Sequence, residues 1–121
     1  MGSFILVAFG GAAGAVSRYA IALAVSGHHW PWSTFLVNVL GSIGFGLVMV
    51  LLVRGSLHQT LQPLLMVGFF GAFTTFSTFS WEVFQFIERN AWLDAVSYSL
   101  VSVVSCVLGI TVGIALARLA G

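Results

Sequence analysis

The residues best suited to chemistry lie in one short segment, Thr74 to Ser80. Five of its seven residues carry hydroxyl groups, and the other two are Phe76 and Phe79. The two phenylalanines are three positions apart and share one face of a helix. Hydroxyl groups can replace water around an anion, and the edges of phenyl rings carry the positive part of the ring quadrupole. The segment therefore favours a small, hard anion over a cation.

Uncharged polar residues elsewhere in the chain follow helical spacing. Tyr98, Ser102 and Cys106 recur at every fourth position along one helix face, and Asn38 lies inside an otherwise apolar run. Together they describe a polar track without a formal charge. The alternative is that these groups only join helices, because polar side chains in a membrane usually form interhelical hydrogen bonds.

Two charged residues lie close to this track. Arg18 falls inside an apolar run, where a cation is costly and functional by default, although its long side chain can also reach the membrane surface. Glu82 lies one turn beyond Phe79 and would either border a pore mouth or face water at a shallow depth. The single cysteine forms no intrachain disulfide, and the three histidines share no ligand-like spacing. We therefore expect no metal site formed by these side chains.

The composition places these residues in a membrane. Hydrophobic residues make up 60% of the 121 and charged residues 6%, whereas soluble domains carry about 25% charged residues. A spanning helix needs about 20 mostly apolar residues, and four are predicted, at residues 4–25, 34–53, 61–87 and 93–119. They use nearly the whole chain, so we expect one transmembrane domain (1–121), surrounded by lipid and without enzyme activity. No basic run suggests nucleic acid as a partner.

The third predicted span differs from the others, because it is expected to be interrupted near residues 71–75 in the middle of the membrane. Three threonines and two serines close to Gly71 weaken helix propensity. Freed backbone groups are tolerated in lipid only where protein buries them or where they line a cavity. Unwound carbonyls there can hold a cation, as half-helix ends do in transporters. The alternative is a continuous helix whose hydroxyls bond to the preceding turn.

The four arginines provide no bias for the direction of insertion. Arg54 and Arg118 fall on the amino-terminal side, whereas Arg89 falls on the opposite side with Arg18 nearest to it. Since the excess of Lys and Arg sets orientation, an equal count permits insertion both ways, and hence an antiparallel homodimer. The alternative is that four arginines are too few for the rule to apply. Glycine pairs at GxxxG spacing indicate close helix packing.

The stretch GAFTTFSTFS at residues 71–80 resembles the CrcB/Fluc fluoride channels, small four-helix proteins of microbial membranes. The segments GGAAGAVSR at 10–18 and VNVLG at 37–41 also match, and the resemblance covers the whole chain. It implies an all-α integral membrane protein with four transmembrane helices, the third broken mid-membrane, assembled as an antiparallel dual-topology homodimer in the prokaryotic inner membrane. It also implies a passive, highly selective fluoride channel, with two pores per dimer, that exports cytoplasmic fluoride.

The resemblance further implies roles for individual residues. A structural sodium ion on the dimer axis would be held by the backbone carbonyls of Gly71 and Thr74 from both subunits. Phe76 and Phe79 would line the fluoride pore together with the amide of Asn38. The remaining candidates for pore hydroxyls would be Tyr98, Ser102, Thr75, Ser77 and Thr78. Cys106 departs from the serine expected at its position, which removes a hydroxyl at that level of the track.

Two other functions fit a small four-helix membrane protein. A multidrug-type, proton-coupled exporter has a similar size and often dual topology, but it needs an acid early in the first helix, where this chain has none. Transport that depends on Glu82 would indicate such an exporter. A non-transporting assembly subunit would instead purify with a membrane partner at a fixed ratio.

Overall fold

The computed structural model describes all 121 residues, and every regular element in it is helical. Helix α1 comprises Gly2–Ala24 and α2 comprises Trp32–Val53. The third span is built from several pieces, which are a 3₁₀ turn at Gln59–Leu61, a π-helical segment at Pro63–Phe70, the short α3 at Gly71–Phe73 and α4 at Phe76–Glu88. Helix α5, at Trp92–Leu119, completes the chain.

Four stretches are long and apolar enough to cross a membrane, and they are Gly2–Ala24, Trp32–Val53, Gln59–Glu88 and Trp92–Leu119. Large apolar side chains cover their outer faces, and Phe4, Phe9, Leu100 and Leu108 are all exposed. Lipid tails solvate such a surface, whereas water does not. The prediction of an all-helical protein with four membrane-spanning segments is confirmed.

Two residues, Gly27 and Pro31, account for the loop between the first two spans. Gly27 adopts a φ of 87°, a left-handed conformation that glycine tolerates at no steric cost. Pro31, with φ −77°, precedes the first turn of α2, and its ring presets the backbone for entry into a helix. Helix α2 consequently begins at Trp32, two residues before the predicted start at position 34.

The spans pack chiefly as two pairs, α1 against residues 63–73 and α2 against α5. Glycine makes both contacts possible. A Cβ atom at Gly10 would clash with the Leu64 carbonyl oxygen, and a Cβ atom at Gly113 would clash with the Ile43 carbonyl oxygen. The GxxxG pairs therefore bring backbones together inside one chain.

Gly10 and Gly11 offer a matched test of this packing. We expect Gly10→Ala to lower the free energy of unfolding by about 1–3 kcal/mol, because the added methyl group overpacks a backbone contact. At Gly11 a Cβ atom meets only the Gly68 carbonyl oxygen, at 4.0 Å, so Gly11→Ala is expected to be neutral or to stabilise α1 by up to about 1 kcal/mol. Denaturant unfolding in detergent, followed by tryptophan fluorescence, measures both. Equal effects would contradict the α1 packing.

Candidate functional site

The third span departs from helical geometry at Thr74 and Thr75. Thr74 has φ −83° and ψ 159°, and Thr75 has φ −149° and ψ 121°. Gly71, at φ −62° and ψ −32°, is helical, and the Thr74 N–H still donates to the Phe70 carbonyl oxygen at 3.1 Å. The extended step, Thr74–Thr75, is therefore shorter than the five positions over which we expected an interruption, because helical hydrogen bonding continues as far as Thr74.

Asn38 supplies the hydrogen bonds that the extended step lacks. Its Nδ2 donates to the Thr75 carbonyl oxygen at 3.0 Å, and its Oδ1 accepts from the Thr75 N–H at 2.8 Å. Thr75 is buried, and leaving such a group unpaired costs about 1–3 kcal/mol. The Asn38 amide therefore ties α2 to the beginning of α4.

Several hydroxyl groups of the segment are already engaged within the chain. The Thr75 hydroxyl oxygen accepts from the Thr78 N–H at 3.2 Å, which makes Thr75 the N-cap of α4. The hydroxyl of Thr74 donates to the Phe70 carbonyl oxygen at 2.8 Å, and that of Ser80 donates to the Phe76 carbonyl oxygen at 2.9 Å. Thr74 and Ser80 thus bond back to the preceding turn, while Thr75 starts a new helix.

Glu82 is held by two hydroxyl donors from different helices. Thr34 on α2 donates to its Oε1 at 2.6 Å, and Tyr98 on α5 donates to its Oε2 at 2.7 Å. Both donors are buried, Tyr98 completely, and the carboxylate lies half-buried between them. The Glu82 side chain therefore joins three helices.

Thr34 is a member of this group that the sequence analysis missed. A signal for it existed, because Thr34 and Asn38 are four residues apart and lie on one face of α2. Thr34 was not predicted as a site residue because it lies at the end of a predicted span, where a hydroxyl ordinarily faces the membrane surface. Its donation to Glu82 depends on the packing of α2 near α4, which spacing along one helix does not reveal.

The Tyr98 hydroxyl offers a test of this three-helix contact. We expect Tyr98→Phe to lower the free energy of unfolding by about 1–3 kcal/mol, because one oxygen of a half-buried carboxylate loses its donor. Tyr19→Phe is the matched control, since Tyr19 is 65% exposed. Thermal unfolding in detergent compares the two. A Tyr98→Phe protein as stable as Tyr19→Phe would show that the Tyr98–Glu82 bond contributes nothing.

Three cavities border the Thr74–Thr75 step or helix α4. The aromatic cavity, of about 460 Å³, is lined by a mixed set that includes Asn38, Thr75, Phe76, Phe79, Ser102 and Cys106. The arginine cavity, of about 240 Å³, includes Arg18, Thr34, Thr75, Thr78 and Glu82 in its wall. The loop cavity, of about 420 Å³, includes His28, His29, Trp30, Glu82, Gln85 and Arg89.

Shared residues place the three cavities in a row. Thr75 borders both the aromatic and the arginine cavity, and Glu82 borders both the arginine and the loop cavity. Charged side chains line the arginine cavity and the loop cavity, whereas no charged residue lines the aromatic cavity. The row thus leads from a charged loop region to an uncharged chamber bounded by phenyl rings.

Most of the predicted site residues meet at the aromatic cavity. Its wall contains Gly71, Thr74, Thr75, Phe76, Phe79, Asn38 and Ser102. Thr78, Arg18 and Glu82 line the arginine cavity instead. Tyr98 borders none of the three cavities, and its ring packs on that of Phe79 with centroids 5.2 Å apart. Ser77 is exposed and also borders none of them.

The two phenylalanines and Ser102 define the chemistry of the aromatic cavity. The rings of Phe76 and Phe79 lie 5.6 Å apart, and Phe76 is 77% exposed within one chain. The Ser102 hydroxyl, by contrast, is buried and has no hydrogen-bond partner. A buried hydroxyl without a partner is uncommon in folded proteins. The wall of the cavity therefore contains one unpaired hydroxyl and two neighbouring phenyl rings.

Fold and site together define a class, a four-helix integral membrane protein whose cavities are lined by apolar and polar side chains. The family described as "CrcB-like protein, Camphor Resistance (CrcB)" matches residues 5–114. The chain therefore belongs to the CrcB-like family.

Relatives of the chain share one name, "Fluoride-specific ion channel FluC". The protein of Hahella chejuensis is 47% identical over 120 residues, which cover 95% of this chain and 94% of the relative. The protein of Magnetococcus marinus is 44% identical, and the match covers 93% of this chain and 95% of the relative. The protein of Chloroflexus aurantiacus is 38% identical, and the match covers 98% of this chain and 97% of the relative. The resemblance drawn from the sequence is thus confirmed.

Family membership also decides the broad biology of the chain. The family consists of ion channels rather than enzymes. Together with the four spanning segments, this makes the chain a multi-pass protein of the bacterial inner membrane.

Proposed function

We propose that this chain forms a passive, highly selective fluoride channel. The observation that carries the proposal is the Ser102 hydroxyl, buried and unpaired on the wall of a cavity that also contains Phe76 and Phe79. A free donor in an uncharged, partly aromatic chamber suits an anion small enough to be surrounded by it. The names of the relatives identify fluoride as the anion that such proteins pass.

The proposed mechanism replaces the water shell of fluoride in steps. The anion enters through the arginine cavity, where the charge of Arg18 offsets that of Glu82, and passes Thr75 into the aromatic cavity. There the Ser102 hydroxyl and the phenyl edges stand in for water. No covalent step and no coupled ion is needed, since selectivity rests on the donors and on the fit of the chamber.

The direction of transport follows from the chemistry of hydrofluoric acid. Neutral HF crosses the lipid, dissociates inside the cell and leaves an anion that lipid retains, because charge is costly in hydrocarbon. A passive channel then lets fluoride leave down its gradient. The proposed biological role is relief of fluoride toxicity.

We further infer that two copies assemble in opposite orientations around two pores, each chain being a single transmembrane domain. Gly71 supports this assembly, because it is exposed and a Cβ atom there would meet nothing closer than 3.8 Å. Nothing within the chain thus requires glycine, which weakens a helix by about 1 kcal/mol. Phe76, also exposed on this side of the cavity, is then covered by the second copy and lines a pore.

A structural sodium ion on the axis of this dimer completes the proposal. No three His, Cys, Asp or Glu side chains cluster in the chain, so backbone oxygens would be the ligands. The Thr74 carbonyl oxygen fits, because it accepts no hydrogen bond within the chain, and Gly71, three residues before it, is exposed. Carbonyl oxygens freed where helices are interrupted suit a hard cation. The ion would lock the extended step of both chains, with the third span broken at mid-membrane.

The exporter alternative is not favoured. The acid it needs would have to be Glu82, and both oxygens of that carboxylate accept hydrogen bonds from Thr34 and Tyr98. The relatives are named as channels specific for fluoride. Transport of a hydrophobic cation that is lost in Glu82→Gln would reverse this conclusion.

Ion efflux from liposomes tests the proposed function. Purified protein is reconstituted with internal potassium fluoride or potassium chloride, and valinomycin starts the release. We expect rapid fluoride loss and no chloride loss above that of protein-free liposomes. Equal release of the two anions, or no release of fluoride from folded and inserted protein, would refute a selective fluoride channel.

A further inference from the structure

Cys106 lies in the wall of the aromatic cavity. It is the only cysteine of the chain, is not disulfide-bonded and is partly exposed. It follows Ser102 by four residues on α5, so the thiol and the free hydroxyl lie on the same helix face, one turn apart.

Ser102 is a second observation that points to a ligand at this wall. Its side chain is only 6% exposed, and its hydroxyl has no partner in the chain although it lines the cavity. Buried hydroxyls ordinarily find a partner, so an unpaired one in the wall of a cavity points to a ligand inside that cavity. Cys106 borders the same space.

We propose that Cys106 is a covalent modification site within the conduction path, reactive toward small thiosulfonates and disulfides, and that its modification stops fluoride passage. The blocking effect rests on the proposed fluoride channel. The accessibility of the thiol rests only on the geometry of the cavity.

The reaction is an exchange at sulfur. The thiol releases its proton to water, and the thiolate attacks the sulfenyl sulfur of a methanethiosulfonate. A new disulfide bond forms to that sulfur, and methanesulfinate leaves with the electron pair of the broken bond. A small disulfide reacts in the same way, with a thiolate as the leaving group.

The size and charge of the added group determine the block. A sulfonatoethyl group on Cys106 places a permanent negative charge beside Ser102 and the phenyl rings, and repulsion between like charges is strong where water is scarce. A methylthio group adds bulk but no charge. We therefore expect the sulfonatoethyl adduct to slow fluoride efflux about tenfold or more, and the methylthio adduct to slow it less.

The experiment uses the full-length protein in liposomes, treated with sodium 2-sulfonatoethyl methanethiosulfonate or with methyl methanethiosulfonate. Intact-mass spectrometry measures adduct formation, and a fluoride electrode measures efflux, each variant being compared with its own untreated sample. In Cys106→Ser the treated and untreated rates are expected to be equal. In Cys106→Ser/Ser3→Cys the exposed thiol at the start of α1 is expected to react without a change in efflux. Dithiothreitol is expected to restore efflux through the treated wild type.

Each outcome decides the proposal. A wild-type protein that is fully modified at Cys106 yet conducts at its untreated rate would show that the thiol lies outside the path. A wild type that stays unmodified while the Ser3→Cys thiol reacts would show that the cavity does not admit the reagent. An untreated wild type without fluoride efflux would refute the channel and its blocking, and the mass measurement would still decide whether Cys106 is reachable.

Discussion

Replacing Phe79 by isoleucine is expected to slow fluoride efflux about 100-fold, which corresponds to about 2.7 kcal/mol of added barrier. Isoleucine keeps the cavity apolar but has no ring quadrupole, so the positive edge that compensates for lost water disappears. The ring also packs on Phe76 at 5.6 Å and on Tyr98 at 5.2 Å between centroids. Phe76→Ile is expected to act in the same direction. Fluoride efflux from liposomes measures both.

Phe84→Ile is the matched control, because Phe84 also lies on α4 and is exposed but borders none of the three cavities. We expect its efflux to remain within about twofold of wild type, as is usual for substitutions away from a site. Gel filtration of all three variants checks that assembly is unchanged. Efflux that is equally fast in Phe76→Ile, Phe79→Ile and Phe84→Ile would keep the channel and remove both phenylalanines from the pore.

Asn38→Ala is expected to have the second large effect. The substitution leaves the Thr75 N–H and carbonyl oxygen without the partners they have at 2.8 and 3.0 Å. At about 1–3 kcal/mol for each buried group, we expect the free energy of unfolding to fall by about 2–6 kcal/mol. Fluoride efflux is expected to fall as well, because Asn38 and Thr75 both line the aromatic cavity. Denaturant unfolding in detergent and liposome efflux measure the two effects.

Ser42→Ala controls for the loss of a polar group on the same helix. Ser42 lines the same cavity, and its hydroxyl donates to the Asn38 carbonyl oxygen at 2.7 Å. That bond only supplements the helix, so its loss is expected to cost less than about 1 kcal/mol. Ser42→Ala and Asn38→Ala proteins of equal stability would show that the extended step holds its shape without the amide.

The residues of the aromatic cavity were largely accessible to sequence analysis. Phe76 and Phe79 stand out because two phenylalanines interrupt a run of hydroxyl residues, and Asn38 and Ser102 stand out because polar residues are rare in apolar spans. What spacing does not reveal is which partner each residue has. The Asn38 amide binds backbone rather than only facing a cavity, and the Tyr98 hydroxyl is engaged by Glu82.

The sequence by itself determined the membrane, the four spans and the family, because hydropathy is a sum over neighbouring residues and the stretch from Gly71 to Ser80 is distinctive. Tertiary structure alone decided the hydrogen bonds of the site. Asn38 and Thr75 are 37 residues apart in the chain, and Thr34 and Glu82 are 48 apart. A hydrogen bond requires its two atoms to lie within about 3 Å of each other. Only the packing of whole helices brings such distant residues that close. Glycine permits it here, because a Cβ atom at Gly41 on α2 would clash with the side chain of Thr74.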